Sequence, residues 1–241
     1  MYRILRDPRI EAAKRMMSRV KRILCFASGK GGVGKSVLSS ASALLFSSSG
    51  RKTGLLDLDF HGPSAHTILG ARVGFGENRG IIPHEFNGIK IMSIVPFAGR
   101  KPILWRGSDI SQSILELLAI TRWGELDFLV IDMPPGTGEE ILETSKILER
   151  GEFVIVTTPS LLSIETVKRL ILALKELEVE ISGVIENMGD GNKAKKLSRE
   201  YKIRFLGNVR YDENLEKAIG KPNKLLKTKI SKDLQKILQI L

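Results

Sequence analysis

Short apolar runs recur along the chain, separated by segments whose apolar residues are spaced as on one face of a helix. The runs lie at residues 22–27, 53–58, 89–95, 127–132, 152–157, 181–186 and 204–209. Continuous apolar runs bounded by polar residues are typical of strands buried on both faces of a parallel sheet. Their alternation with helices predicts an α/β fold: a doubly wound, mainly parallel sheet with helices on both faces.

Helices are predicted at 9–22, 37–48, 109–121, 163–177, 192–202 and 231–241. Ser108 is placed as the N-cap of the third helix. Residues 65–88 contain several glycines and little periodicity, so we interpret them as a long loop. We therefore divide the chain into a basic N-terminal helix, 1–22, and a single domain, 23–241.

The last predicted helix carries Leu234, Ile237, Leu238 and Leu241 on one face, with lysines elsewhere. An amphipathic helix at a chain end can anchor a protein to a membrane surface. A short apolar stripe of this kind more often docks on the protein's own sheet, and we expect docking here.

The segment between the first strand and the first long helix, Ser28-Gly-Lys-Gly-Gly-Val-Gly-Lys-Ser36, fits the phosphate-loop pattern G-x-x-x-x-G-K-[ST]. Glycines let the backbone curl so that successive N–H groups converge on a phosphate, and the helix N-terminus adds its positive end. Lys35 would supply a point charge for the β- and γ-phosphates, and the Ser36 hydroxyl would coordinate Mg²⁺. The predicted nucleotide contacts are Gly29, Lys30, Gly31, Gly32, Val33, Gly34, Lys35, Ser36 and Val37.

Carboxylates end two of the predicted strands. Asp57 and Asp59 follow the strand at 53–56, and Asp132 ends the run at 128–131. Ligands bind at the carboxyl ends of strands in open α/β sheets. We expect Asp132 and Asp57 to support Mg²⁺ and Asp59 to position the attacking water. Asp57 and Asp59 could instead merely end a strand or cap a turn.

A proline- and glycine-rich turn follows Asp132, spelled Met133-Pro-Pro-Gly-Thr-Gly138. Prolines stiffen such a turn, and glycines let backbone N–H groups approach a γ-phosphate. This chemistry is typical of a switch loop that responds to hydrolysis.

The second lysine of the phosphate loop, Lys30, resembles the deviant Walker A loop of MinD/ParA-like (SIMIBI-type) ATPases. Three further segments resemble the Mrp/ApbC branch of that group, the iron–sulfur cluster carriers: Asp57-x-Asp-x-x-Gly-Pro-Ser64, Trp105-Arg-Gly107 and Asp132-x-Pro-Pro-Gly-Thr-Gly-Glu139. The resemblance implies an ATPase that uses Mg²⁺, binds ATP/ADP and forms a nucleotide-dependent homodimer. In the family, a lysine at the place of Lys30 reaches the partner's nucleotide, Asn187 matches an adenine-binding Asn, and Arg210 lies in a loop near the base.

One family motif is missing. Cluster-carrying members place a Cys-x-x-Cys shortly after the stretch that matches Ile185-Glu-Asn-Met188, so that two subunits supply four thiolates. Here the chain continues Gly189-Asp-Gly-Asn-Lys-Ala194, and its single cysteine is Cys25. Four-thiolate ligation from this chain is therefore excluded, and we expect a protein cargo or iron–sulfur acceptor of unknown identity.

The net charge of +11 is concentrated at the two ends. Residues 192–241 hold fourteen basic and five acidic residues, and residues 1–22 hold eight and two. Such flanks could attract nucleic acid or a membrane surface, which leaves open a second function, a MinD/ParA-like nucleotide-gated module that positions a partner there. Solubilising surface helices explain the charge equally well, and no aromatic platform favours nucleic acid. No long apolar run or signal peptide is present, so we expect a cytoplasmic protein.

Overall fold

The computed structural model describes residues 7–98 and 107–241, and a single sheet runs through this part of the chain. Its strands are β1 (Val20–Ser28), β2 (Thr53–Asp57), β3 (Phe75–Glu77), β4 (Ile81–Phe86), β5 (Ile89–Ser93), β6 (Leu126–Asp132), β7 (Gly151–Thr157), β8 (Glu180–Asn187) and β9 (Phe205–Val209). They are ordered β3-β4-β5-β2-β6-β1-β7-β8-β9. All pairings from β5 to β9 are parallel, and the β3–β4 and β4–β5 pairings are antiparallel.

Helices connect the strands and cover both faces of the sheet. They are α1 (Pro8–Met17), α2 (Lys35–Ser48), α3 (Ala65–Leu69), α4 (Val95–Ala98), α5 (Gly107–Ile120), α6 (Glu139–Ile147), α7 (Leu161–Glu176), α8 (Asn192–Glu200), α9 (Leu215–Ala218), α10 (Pro222–Leu225) and α11 (Lys229–Leu238). The predicted fold class, a doubly wound α/β sheet, is confirmed, and each of the seven apolar runs forms a strand.

Alternate residues of β1 explain the two-sided core. Leu24 and Phe26 point into one apolar cluster, while Ile23 and Cys25 point into the other. Because successive side chains of a strand point to opposite faces, a central strand must be apolar throughout to fill both clusters. Helices α1, α5 and α7 pack on one face, and α2 and α11 pack on the other.

The interpretation of residues 65–88 as a loop is wrong. This segment contains α3 and the strands β3 and β4, and β4 forms a hairpin with β5. Asn87 and Gly88 make its two-residue turn, both with positive φ, at 49° and 71°. Asn-Gly is the preferred sequence of such turns. The half-exposed, antiparallel edge lacks the continuous apolar run that marks the buried strands.

Further differences concern the helices. The helix predicted at 9–22 ends at Met17, because Val20 already belongs to β1 and pairs with Leu126 of β6. Helices α4, α6, α9 and α10 were not predicted. Ser108, predicted as the N-cap of the helix at 109–121, lies within α5, which already includes Gly107. The Trp105-Arg106 pair lies outside the described residues. The division into 1–22 and 23–241 stays a prediction.

The C-terminal helix docks on the sheet, as expected. Ile230, Leu234 and Ile237 of α11 are buried in the cluster that also contains Leu206 and Val209 of β9. Its apolar stripe is therefore part of the core. Among the described residues, no helix is both long and apolar enough to cross a membrane.

Candidate nucleotide site

The phosphate loop lies between β1 and α2, at the carboxyl edge of the sheet. Gly34 caps α2 in the left-handed conformation, with φ at +83°. A Cβ at this position would also lie 2.3 Å from Nδ2 of Asn187. Only glycine suits both the backbone angle and the space, which explains the fourth glycine of the motif physically.

Asn187, at the end of β8, contacts the loop directly. Its Nδ2 donates a hydrogen bond of 2.9 Å to the carbonyl oxygen of Val33, and its side chain is buried. Its Oδ1 is buried without a hydrogen-bond partner among the described residues, so the amide keeps acceptor capacity for a ligand. The contact with adenine stays a prediction. The link to Val33 was not predicted, because nothing local marks a pair 154 residues apart.

Gly29 lies against the backbone of α7. A Cβ on Gly29 would be 2.5 Å from the carbonyl carbon of Thr166, whereas a Cβ on Gly31 would meet nothing within 4 Å. The first glycine of the loop is thus needed for the approach of α7, and Gly31 is free of that constraint.

Replacing these two glycines should therefore have unequal effects. Gly29→Ala is expected to lower the free energy of unfolding by about 1–3 kcal/mol, because α7 or the loop must shift. Gly31→Ala is the matched control and should change stability by less than about 0.5 kcal/mol. Urea unfolding of both variants measures the difference. Equal losses would show that the Gly29 contact does not constrain the loop.

Beneath the loop, Lys35 forms a buried ion pair with Asp132. Its Nζ lies 2.5 Å from Oδ1 of Asp132, and the two side chains are 5% and 0% exposed. Asp57 is the register partner of Asp132 on the neighbouring strand. The structure thus brings together three residues predicted to act on phosphate and metal.

Asp57 is held by backbone donors. Its Oδ2 accepts hydrogen bonds of 3.0 Å from the N–H groups of Ser64 and Ala65, and its Oδ1 accepts one of 3.1 Å from Asp59. Burial, followed by the nearby carboxylate of Asp132, raises the pKa of Asp57 to about 7. Two buried carboxylates side by side repel each other, and a cation between them would relieve this repulsion.

The chemistry of this pair fits Mg²⁺. Oδ2 of Asp132 is buried and has no hydrogen-bond partner in the described part of the chain. A buried carboxylate oxygen left in that state is costly unless a ligand satisfies it. Ser36 lies in the first turn of α2, one residue after Lys35, with a half-buried side chain. Carboxylate and hydroxyl oxygens with water are the ligands that Mg²⁺ prefers.

Asp59 and the proline- and glycine-rich turn after Asp132 lie at the same edge of the sheet. Asp59 is half-buried, and its Oδ1 accepts a hydrogen bond of 3.0 Å from the N–H of Gly62, so it caps a turn. Gly136, with φ at +100°, donates its N–H to the carbonyl of Ser28 at 2.9 Å. The turn after Asp132 is thereby tied to the start of the phosphate loop. The water-positioning role of Asp59 stays a prediction.

The remaining predicted nucleotide contacts differ in their burial and in their ion pairs. Lys30 is half-buried and forms no ion pair within the described residues. Val33 is buried, and Val37 is half-buried on α2. Arg210 is bound to α11: its Nε and one terminal nitrogen donate to Asp233 at 2.9 and 2.8 Å. This pairing raises the pKa of Arg210, and its contact with the base stays a prediction.

The turn between β8 and α8 is held by the side chain of Glu186. The buried carboxylate of Glu186 accepts hydrogen bonds from the N–H groups of Gly191 and Ala194, at 2.8 and 2.7 Å, and so caps α8. A Cβ on Gly189 would lie 2.2 Å from this carboxylate. No sequence signal other than the two glycines pointed to this role for Glu186.

The side chains present do not fit an iron–sulfur cluster. Cys25 is buried, and burial raises the pKa of its thiol, which disfavours the thiolate that binds metal. Among the described residues, no group of three or more His, Cys, Asp or Glu side chains could hold a metal ion.

A strand, a glycine loop and a helix, with a lysine and two strand-end carboxylates beneath them, define a P-loop nucleotide-binding protein with a doubly wound sheet. The family model described as "ParA: NUBPL iron-transfer P-loop NTPase" matches residues 19–241. The chain belongs to this family, and the resemblance to the Mrp and MinD/ParA-like ATPases is confirmed. Membership implies ATP hydrolysis.

Relatives and a solved structure agree. An iron–sulfur cluster carrier protein from Saccharolobus solfataricus is 40% identical over 224 residues, which cover 84% of this chain and 75% of that protein. One from Aquifex aeolicus is 38% identical over 214 residues, covering 80% of this chain and 58% of its own length. A nucleotide-binding protein from Archaeoglobus fulgidus, solved with ADP, is 32% identical with a TM-score of 0.76, covering 90% and 92% of the two chains.

Proposed function

We propose that this chain is an ATPase that uses Mg²⁺ and acts as a nucleotide-driven dimer on a partner or cargo, in iron–sulfur cluster assembly. The observation that carries the proposal is the buried group of Lys35, Asp132 and Asp57 beneath the phosphate loop, with one carboxylate oxygen unsatisfied. The ADP bound by the Archaeoglobus fulgidus protein, at 32% identity, supports nucleotide binding.

In this proposal each side chain has one task. Lys35 would neutralise charge on the β- and γ-phosphates, and Ser36, Asp132 and Asp57 would hold Mg²⁺, which when bound would supply a positive charge beside the transferred phosphoryl group. Asp59 orients the attacking water. Lys30 completes the nucleotide site of a second copy.

Exposed leucines beside the loop support the dimer. Leu161 and Leu162 begin α7 and are 75% and 64% exposed. They precede Thr166, whose backbone touches Gly29, by about one helical turn. Burying a leucine side chain yields about 1.5–3 kcal/mol, so a second copy placed over the phosphate loop would be stabilised by covering them.

Adding Mg·ATP should therefore convert the monomer to a dimer that releases phosphate. The double variant Leu161→Ser, Leu162→Ser should weaken this dimer by at least about tenfold while leaving ATP binding intact. Leu172→Ser is the matched control, since Leu172 lies on the same helix and is 55% exposed. Light scattering coupled to size exclusion measures the mass. Equal weakening by both variants would place the dimer contact elsewhere.

The cargo must bring its own ligands, since this chain offers one buried thiol. Anaerobic incubation of the purified chain with iron and sulfide is expected to give no cluster absorbance. Adding a cysteine-bearing partner should produce the cluster absorbance. A stable cluster on the chain alone would contradict this part of the proposal.

A further inference from the structure

The phosphate loop is held at its two ends by different parts of the chain. At its start, the backbone of Thr166 in α7 packs against Gly29. At its far end, Lys35 forms the buried pair with Asp132. Between these points, a Cβ on Gly31 would meet nothing within 4 Å. Packing therefore leaves the middle of the loop free, and hydrogen bonds have to fix the peptides there.

The side chain of Asn187 supplies one such hydrogen bond from a distant strand. Its Nδ2 donates to the carbonyl oxygen of Val33 at 2.9 Å, and the two residues are 4% and 1% exposed. A second side-chain bond to the loop backbone is local, since Ser28 Oγ donates to the carbonyl of Lys30 at 3.0 Å. Asn187 ends β8, which β7 separates from β1. Its bond therefore ties the loop to a part of the sheet two strands away.

Holding the Val33 carbonyl also sets the direction of the next N–H group. A peptide unit is planar and trans, so the C=O of Val33 and the N–H of Gly34 point in opposite directions. With the carbonyl turned to Asn187, the Gly34 N–H is turned away from it. Successive N–H groups of a phosphate loop must converge on the anion. The bond to Asn187 thus fixes the orientation of one of these N–H groups.

The glycine next to this peptide makes the restraint necessary. Gly34 has a φ of +83°, and glycine populates both signs of φ about equally, so the Val33–Gly34 peptide can rotate at little cost. A Cβ at Gly34 would lie 2.3 Å from Nδ2 of Asn187. The residue that makes room for the amide is therefore the one that leaves the loop pliable, and the amide supplies the missing restraint.

We propose that Asn187 is a positioning residue for phosphate binding: its amide fixes the Val33–Gly34 peptide so that the Gly34 N–H meets the phosphate, whatever base the nucleotide carries. The proposal rests on the proposed ATP site. It adds to the adenine contact that the family resemblance implies. Because Nδ2 is engaged by Val33, the atom left for a base is Oδ1, which has no partner among the described residues and can only accept.

A ligand without a base separates the two roles. Mg·tripolyphosphate carries three linked phosphates, as ATP does, but neither adenine nor ribose. Asn187→Ala should weaken the binding of Mg·tripolyphosphate by about tenfold, and that of Mg·ATP by at least as much, because both need the ordered loop. Calorimetric titration measures the two affinities. A loss confined to Mg·ATP would overturn the proposal, since Asn187 would then act on the base alone.

Asn208→Ala is the matched control. Asn208 is half-buried on the neighbouring strand β9, and its Nδ2 donates to the carbonyl of Gly189 at 3.1 Å, outside the phosphate loop. This variant should keep both affinities within about twofold of the unchanged chain. Asn187→Ser has a hydroxyl that is too short to reach Val33, so it should behave as Asn187→Ala does. It replaces that variant if urea unfolding shows that the alanine form does not fold.

Hydrogen exchange of the nucleotide-free chain gives a readout that needs no ligand. The amides of residues 31–34 should exchange at least about tenfold faster in Asn187→Ala than in the unchanged chain, and Asn208→Ala should leave them as they are. Equal exchange in all three proteins would overturn the proposal. If the unchanged chain bound neither ligand, the proposed ATP site would fail and this proposal with it. A failure of the Asn187 role alone would leave Mg·ATP binding by the unchanged chain intact.

Discussion

Lys35→Ala should abolish the binding of ATP and also destabilise the protein. The substitution removes the charge that meets the β- and γ-phosphates. It also leaves the buried carboxylates of Asp132 and Asp57 without their cation. Breaking a buried pair by removing one partner costs on the order of 3 kcal/mol. Calorimetric titration and urea unfolding measure the two effects separately.

A surface lysine provides the control for this experiment. Lys52 is 68% exposed and pairs with Glu125 at 3.6 Å. Exposed pairs contribute about 0–1 kcal/mol, so Lys52→Ala should bind ATP normally and lose little stability. If Lys35→Ala bound ATP with unchanged affinity, the loop around Lys35 would not be the phosphate site.

Lys30→Ala should retain ATP binding and lose turnover. Lys30 is half-buried and makes no ion pair within its own described chain, so its removal leaves the Lys35–Asp132 pair intact. If Lys30 completes the site of a second copy, its charge stabilises the transition state there. An arginine that a second protein supplies in this way is worth roughly 10³-fold in rate or more, and we expect a loss of this order. Single-turnover phosphate release, at saturating Mg·ATP, measures the loss.

The two lysines can thus be told apart by binding. Lys35→Ala should show no calorimetric heat, whereas Lys30→Ala should show an affinity close to that of the unchanged chain. If the dimer needs nucleotide in both sites, a mixture of Lys30→Ala with Lys35→Ala, which binds no nucleotide, should show no activity. An equal loss of binding in Lys30→Ala and Lys35→Ala would refute the role of Lys30 in a second copy.

Much of the fold could be predicted from the sequence because its strands are buried on both sides. Strands such as β1 and β6 must be apolar at every position, and a continuous apolar run is a local signal. The hairpin of β4 and β5 gives no such run, because β4 is only half-buried near the antiparallel edge of the sheet. The Asn87-Gly88 dipeptide was the remaining sequence signal for this hairpin.

The candidate site, too, could be predicted from the sequence only in part. The phosphate loop is continuous in sequence, so its glycines and Lys35 could be recognised directly. The contacts that hold it are distant: Asn187 binds Val33 across 154 residues, and the backbone of Thr166 touches Gly29. Strand order brings these residues together, with β7 and β8 on one side of β1. Nothing local in the sequence specifies which residue of α7 meets the loop.

The basic C-terminal part of the chain shows the same limit. The sequence revealed an excess of basic residues at 192–241 without showing where they gather. In the structure, lysines of α9, α10 and α11 line one cavity, while Arg210 forms a salt bridge with Asp233. Charge counting therefore could not show which basic residues lie together and which are paired with an acid.

The account depends most on the binding of Mg·ATP at the phosphate loop, between the strands that end in Asp57 and Asp132. Calorimetric titration of the purified chain with Mg·ATP, followed by thermal unfolding of the complex, tests this directly. We predict saturable heat and a raised melting temperature, both weakened when Mg²⁺ is chelated. No heat and no protection against unfolding would contradict the account.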